Sequence, residues 1–298
     1  MFIGALIVLL AVDLIAFHRK AHVPSTRETL LVTALWAGIA LTFGVTLTIY
    51  YGSNIGLSFT AGYLMEWALA VDNVFVFVAV FAQFRIPQDR QDRVLFFAII
   101  GAIVLRGLFI AAGLALVQRF EWSLPAFGLL LLFAAYKVTR EPVVGETSES
   151  ESKLAERLER LLPFTRRLDG QKFFTRIGGK LKGTPLMLVL VLLVVADLLF
   201  AIDSVPAVFA ITTEPFLVFS SNALAILGLR SMYFLLSHLV NHLRYLRVGL
   251  GLILAFVSLK LIFHSVIDLH PGVSIAVVLG ILFVAVMASL GARSRPVA

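Results

Sequence analysis

Cysteine is absent from this chain, and charge is scarce: Asp, Glu, Lys and Arg make up 14% of the 298 residues against 60% hydrophobic. Without a thiol there is no disulfide, no thiolate metal site and no cysteine nucleophile. Soluble domains carry roughly 25% charged residues, so a chain this poor in charge has lipid as the solvent for most of its length. Acids are fewer than bases, 18 against 25, giving a formal net charge of +7. On a soluble protein that excess could face nucleic acid. In an apolar chain it belongs to cytoplasmic loops, and no nucleic-acid partner is expected. The N-terminus has no basic n-region and no small-residue cleavage pattern before its first charged stretch, so it reads as a retained span and not a signal peptide. No nucleophile–base arrangement and no His-Glu zinc motif is present, which argues against an enzyme.

What is there in quantity is long apolar runs. A span needs about 20 mostly apolar residues, and nine segments qualify: 1–17, 29–50, 56–84, 94–117, 123–139, 184–212, 216–242, 248–266 and 272–291. Alternating polarity for a barrel is missing, so the expected fold is all-α, a polytopic membrane protein forming one transmembrane domain over 1–298. The bases sort by loop. Arg19, Lys20 and Arg27 fall in the first, Arg85, Arg90 and Arg93 in the third, and the run from Arg140 to Lys182 in the fifth. Arg244 and Arg247 fall in the seventh, Arg293 and Arg295 in the tail, and the opposite loops hold only Arg119. This asymmetry places the N-terminus outside and the C-terminus in the cytoplasm. The long cytoplasmic linker, 140–183, opens acidic and turns basic, with an amphipathic stretch at Leu154, Leu158, Leu161 and Leu162. It reads as a solvated linker with a short interfacial helix in preference to a regulatory or metal-sensing flap.

The chain also repeats itself. Glu66-Trp-Ala-Leu-Ala-Val-Asp72-Asn73 matches Asp197-Leu-Leu-Phe-Ala-Ile-Asp203-Ser204. A loop proline follows each (Pro87, Pro215), then Leu-Arg in the next span (Leu105-Arg106, Leu229-Arg230), then a lysine closing a third (Lys137, Lys260). The units are 56–139 and 184–266, three spans each. An odd number of spans reverses orientation, so this is an inverted repeat, an architecture recurrent in secondary transporters with sites near the midplane.

A carboxylate at the bilayer centre costs roughly 2.5–3.5 kcal/mol even on lenient scales. Glu66, Asp72, Asp197 and Asp203 all lie near the middle of their spans. One account is internal pairing with Arg106, Arg230, Lys137 and Lys260. Pairing for stability alone seldom beats apolar packing, so a cation site is the sharper reading. Carboxylate, amide and hydroxyl oxygens suit Mg2+, Ca2+ or Mn2+. His238, near a helix end, reads as a packed or interfacial side chain. Six residues separate two side chains by about 9 Å along a helix, so Glu66 and Asp72 cannot share one ion on an unbroken helix, nor can Asp197 and Asp203. The natural division pairs Asp72 with Asp203 and leaves Glu66 and Asp197 as relay groups, although the reverse is open. Asn222 and Ser221 are further candidate oxygens. Pro206 cannot donate to the Ile202 carbonyl, and a kink there would free that oxygen beside Asp203. Arg106 and Arg230 read as counter-ions or gates. Asp13 could sit at the cytoplasmic interface or join the site.

At these residues the chain resembles the TerC family. The stretches that carry the resemblance are 13–22, 62–73, 197–207 and 221–230. The resemblance implies efflux of Mn2+ as the transported ion across the bacterial inner membrane, with proton coupling and no permanently bound cofactor. It carries over Glu66, Asp72, Asn73, Asp197, Asp203 and Ser204. Many members carry a Glu three residues before the first Asp of the second motif, where this chain has Val194. The partners that the resemblance implies are a divalent metal ion and the lipid bilayer.

Overall fold

The computed structural model describes residues 25–120, 122–140, 164–165, 168–177, 179–237, 245–263 and 269–292, together with Gly4. Eight helices lie within them: α1 Thr26–Tyr51, α2 Ser53–Gln83, α3 Gln88–Arg119, α4 Ser123–Arg140, α5 Pro185–Phe209, α6 Pro215–Ser237, α7 Leu246–Ile262 and α8 Pro271–Ala292. Six are long and apolar enough to cross a membrane, while α4 and α7 are the shorter apolar helices. Apart from Gly4, the expected first span, 1–17, lies outside the described residues, as do Asp13, His238 and the leucine stretch 154–162.

Local chemistry sets the helix starts. Ser25 caps α1: its Oγ accepts from the Glu28 backbone N–H at 3.3 Å, and Glu28 accepts from the Ser25 N–H at 3.4 Å. Gly52, at φ +98°, turns the chain from α1 into α2. Pro185, Pro215 and Pro271 each open a helix, where the missing N–H leaves no intrahelical bond unmade. Pro206 lies near the end of α5, and the helix runs on through it to Phe209.

α2 and α6 are the most enclosed spans. α2 packs on α6, α3 on α5 and α4 on α7, while α1 lies against both α2 and α6. One apolar cluster joins Phe77 and Phe81 of α2 to Leu95 of α3, Leu193 of α5 and Met232 of α6. A second joins Met65 of α2 to Leu131 of α4, Ile253 of α7 and Val278 of α8. Exposed apolar side chains such as Leu35, Leu108, Phe133 and Phe283 form the outward surface, which suits lipid. Lipid offers helices no hydrophobic drive to associate, so close approach of small residues carries much of the packing. At the α4–α7 crossing the Ser258 hydroxyl donates to the Gly128 carbonyl at 2.8 Å.

The linker holds an element that the all-α expectation missed. β1 Phe174–Ile177 and β2 Lys180–Gly183 form an antiparallel hairpin. The Gly178-Gly179 pair between two short runs is a hairpin signal, hidden by the surrounding charge. Gly179 takes φ +76°. At its root the Thr175 hydroxyl and then the Lys172 ammonium hold the Asp169 carboxyl below the usual carboxylate range.

The α1–α2 crossing yields a stability prediction. A Cβ on Gly56 would collide with Thr48 Oγ1 and lie 2.7 Å from the Gly44 carbonyl. Gly56→Leu is expected to destabilise the bundle by about 3 kcal/mol through overpacking. Gly38→Ala, with nothing within 4 Å of its added Cβ, is expected to be neutral or slightly stabilising. Thermal unfolding in detergent, followed by tryptophan fluorescence, compares the two.

Candidate functional site

Arg106 stands near the middle of α3 and is buried. Its guanidinium reaches two helices. Nη1 donates to Glu66 Oε2 of α2 at 2.6 Å and to Ser204 Oγ of α5 at 3.0 Å. Nε and Nη2 grip the two oxygens of Asp197, also in α5, at 3.0 and 2.9 Å. This fork is a geometry that a planar guanidinium provides and an ammonium cannot. Asn73 of α2 donates to Asp197 Oδ1 at 3.3 Å, and Asn222 of α6 donates to Glu66 Oε1 at 2.6 Å. All six side chains belong to buried residues. Glu66, Arg106, Asp197 and Asn222 lie within about 6 Å of their helix midpoints at ~1.5 Å rise per residue.

These contacts order the two acidic helices. Glu66 meets Ser204 through Arg106, and Asn73 meets Asp197 directly. A residue further along α2 therefore meets one further back along α5, and the helices lie side by side and antiparallel. Both oxygens of each carboxylate and all three nitrogens of the guanidinium are engaged. The Asn222 amide oxygen is buried and unpartnered among the described residues. Its amide orientation follows from chemistry, because the Glu66 carboxylate requires a donor.

Of the site residues expected from sequence, five come together on Arg106: Glu66, Asn73, Asp197, Ser204 and Asn222. Ser221 does not join them, since its hydroxyl donates within α6 to the Val218 carbonyl. Asp203 is half-buried on α5, beside Ser204. Asp72 is beside Asn73 on α2, and its side chain, like that of Lys137, lies outside the described part. Two of the expected counter-ions are elsewhere. Arg230 of α6 grips Asp92 of α3, at 2.5 and 2.9 Å. Lys260 of α7 donates to Ser274 Oγ of α8 at 3.1 Å. Among the described residues no three His, Asp or Glu side chains gather closely enough to hold a metal ion.

Sequence reasoning missed Asp92 because it began the span at 94. The helix begins at Gln88, so Asp92 is within its second turn and not in a loop. Its neighbour Gln91 accepts from the Tyr233 hydroxyl at 2.7 Å and donates to the Ile86 carbonyl at 2.8 Å, which reinforces that end of α3 against α6. Val194, one turn before Asp197, packs on Gly101 of α3, whose added Cβ would lie 3.0 Å from Val194 Cγ2.

Residues 51–296 match the integral membrane protein TerC family. The chain belongs to this family. Among its relatives is an uncharacterized membrane protein of Myxococcus xanthus, 44% identical over 97% of this chain and 90% of that protein. The Escherichia coli K12 relative Alx, whose name proposes a membrane-bound redox modulator, is 39% identical over 92% of this chain and 88% of its own length. An uncharacterized membrane protein of Rickettsia bellii is 36% identical over 95% and 93%. No solved structure matches the chain. This TerC protein is thus an integral membrane protein with an arginine-bridged pair of carboxylates inside its bundle.

The fork makes a specific prediction. Arg106→Lys keeps the charge but cannot serve two carboxylates and a hydroxyl in one plane. Losing one hydrogen bond to a charged group is expected to cost about 2 kcal/mol. The reading is a lower Tm in detergent, with Arg230→Lys, at the partly exposed Asp92 pair, costing less.

Proposed function

We propose that this TerC protein is a secondary transporter that exports a divalent cation from the cytoplasm, in exchange for protons, across the bacterial inner membrane. The transported ion by family resemblance is Mn2+. The observation that carries the reading is the buried polar cluster itself. Two carboxylates face one guanidinium, which leaves the cluster one positive charge short when all three are ionised, and the Asn222 amide oxygen beside them is an acceptor without a donor among the described residues. Intramembrane acids at this depth are a functional signal by default, and oxygen donors favour hard divalent ions.

The pairing of α2 with α6, α3 with α5 and α4 with α7 supports an inverted repeat. Exchanging the two units maps the first helix of each onto the other, and each of these pairs onto a pair in the same set. The antiparallel α2 and α5 fit the same exchange. In this scheme Asp72 and Asp203 bind the cation at the flank of the Arg106 cluster, on turns next to Asn73 and Ser204. Glu66 and Asp197 relay it, with Arg106 as the counter-ion that keeps their charge compensated while the ion is away. The N-terminus is outside and the C-terminus in the cytoplasm. The two units rock about the midplane, and protons replace the ion on the carboxylates as it leaves.

A second reading has its own observation. Arg106 engages both Glu66 and Asp197 at hydrogen-bonding distance, as it would in a non-transporting membrane assembly or tellurite-tolerance factor. Purified protein in liposomes separates the two. Export predicts Mn2+ flux into a metal-quenched dye, abolished by Asp203→Asn and by Asp72→Asn. Asn222→Ala is expected to weaken apparent metal affinity about ten-fold, as loss of a supporting group commonly does. Absence of flux from wild type, or flux unchanged in both aspartate variants, favours the second reading. Competition by Ca2+ stronger than by Mg2+ or Mn2+ would make the cargo Ca2+.

A further inference from the structure

The hairpin β1–β2 is the one folded piece of the linker among the described residues, and its placement is constrained. Only Thr184 separates β2 from α5, whose first turn begins at Pro185 and which has no charged residue before Asp197. One residue of extended chain covers about 3.3 Å, so the hairpin starts at the edge of the apolar layer. Its root is fixed on the bundle. The Thr184 hydroxyl donates to the Lys172 carbonyl at 2.7 Å. The Phe173 ring lies under the Arg93 guanidinium, 5.3 Å from the ring centroid, and edge-on to Phe97 of α3 at 5.2 Å. The strands therefore project from a held base, and do not wander as a free loop would.

The side chains they present are unusual for a solvated hairpin. Phe174, Ile177 and Leu181 are 49, 40 and 58% exposed. Between them stand Arg176, Lys180 and Lys182. The register pairs Arg176 with Leu181 and Ile177 with Lys180, so each face carries an apolar side chain next to a base. The nearby acid, Asp169, is taken by Lys172 and Thr175. Among the described residues no acidic side chain pairs with the other three bases.

We propose that this hairpin is a docking surface for anionic phospholipid headgroups, with Phe174, Ile177 and Leu181 entering the headgroup boundary and Arg176, Lys180 and Lys182 meeting the phosphates. Water is a poor environment for three exposed apolar side chains on eight strand residues, and a bare apolar layer is a poor one for three cations. The interface satisfies both, because apolar side chains reach the acyl boundary while long basic ones extend to the phosphates. Each base near an anionic surface contributes a preference of about five-fold over a neutral one. The inference depends on the membrane-spanning character of α5 and not on transport, so it stands or falls independently of the export reading.

The absence of cysteine makes the test direct. Leu181→Cys provides a single labelling site in the full chain, for an environment-sensitive fluorophore. The labelled protein is reconstituted in nanodiscs of phosphatidylcholine alone and of phosphatidylcholine mixed with phosphatidylglycerol. Docking predicts a blue shift, weaker quenching by aqueous acrylamide and stronger quenching by headgroup-region spin-labelled lipid in the mixed discs. High salt should reverse all three. The triple variant Arg176→Gln, Lys180→Gln, Lys182→Gln should lose the lipid dependence. The charge-preserving triple variant Arg176→Lys, Lys180→Arg, Lys182→Arg should retain it, which separates loss of charge from loss of the hairpin. Equal quenching in both lipids overturns the proposal. So does a phosphatidylglycerol effect that persists without the three bases, or one that the charge-preserving variant also lacks. The same scaffold protein encloses both kinds of disc, so a protein contact cannot produce a difference between them.

Discussion

A guanidinium held between two carboxylates in the middle of an apolar bundle is the constraint on which the rest of the protein turns. Taking a charge out of water costs several kcal/mol per ion after relaxation, and here three such groups meet at one point. The arrangement is tolerable because every oxygen of the two carboxylates and every nitrogen of the guanidinium is engaged. Arg106 uses its fork on Asp197 and its remaining reach on Glu66 and Ser204, while Asn73 and Asn222 supply further donors to the carboxylates. Four helices, α2, α3, α5 and α6, each contribute at least one group. Their relative heights are therefore set by polar contacts, in a solvent where apolar packing discriminates weakly between registers. The apolar clusters above and below the site, around Phe81 and Leu193 on one side and Ile110 and Val205 on another, then fill the space that the polar register leaves.

The same contacts give the proposed repeat its physical content and its limit. Glu66 and Asp197 occupy equivalent places in the two motifs, as do Asn73 and Ser204, and the observed contacts exchange one pair for the other. The arginines break this equivalence. Arg106 sits at the centre, whereas its counterpart Arg230 is drawn to Asp92 near the start of α3. The amide of Asn222 has no equivalent either, since the matching place in the first unit, eight residues before Arg106, is Ala98. A transport site built on this frame has two unlike halves. Both carboxylates are engaged on both oxygens and each has an amide beside it, but Arg106 makes two bonds to Asp197 and one to Glu66, so the halves differ in their hold on the guanidinium.

Much of this was legible in the sequence. The apolar runs marked the eight described helices to within six residues at each end, because a span in lipid must be both long and apolar. The two acidic motifs singled out Glu66, Asp197, Asn73 and Ser204, which the structure brings into one buried polar cluster around Arg106. Helical spacing could not decide which acids face each other. It favoured Asp72 with Asp203, and the structure brings Glu66 and Asp197 onto Arg106, since the direction of a side chain depends on helix rotation that hydrophobicity alone sets poorly. Arg230 was expected beside the motif acids for the same reason. Its partner Asp92 was invisible once the span was begun at 94, six residues after the helix starts. The hairpin was obscured because its charge resembles that of a solvated linker, and two four-residue strands carry too little periodicity to stand out.

The central claim is that Glu66 and Asp197 share Arg106 as their counter-ion, and a thermal-unfolding cycle in detergent tests it most directly. Arg106→Gln alone abandons two buried carboxylates and should destabilise the protein by about 3–5 kcal/mol. Adding Glu66→Gln and Asp197→Asn removes the charges that it served and should restore most of the lost Tm. A triple variant no more stable than Arg106→Gln alone would contradict the account.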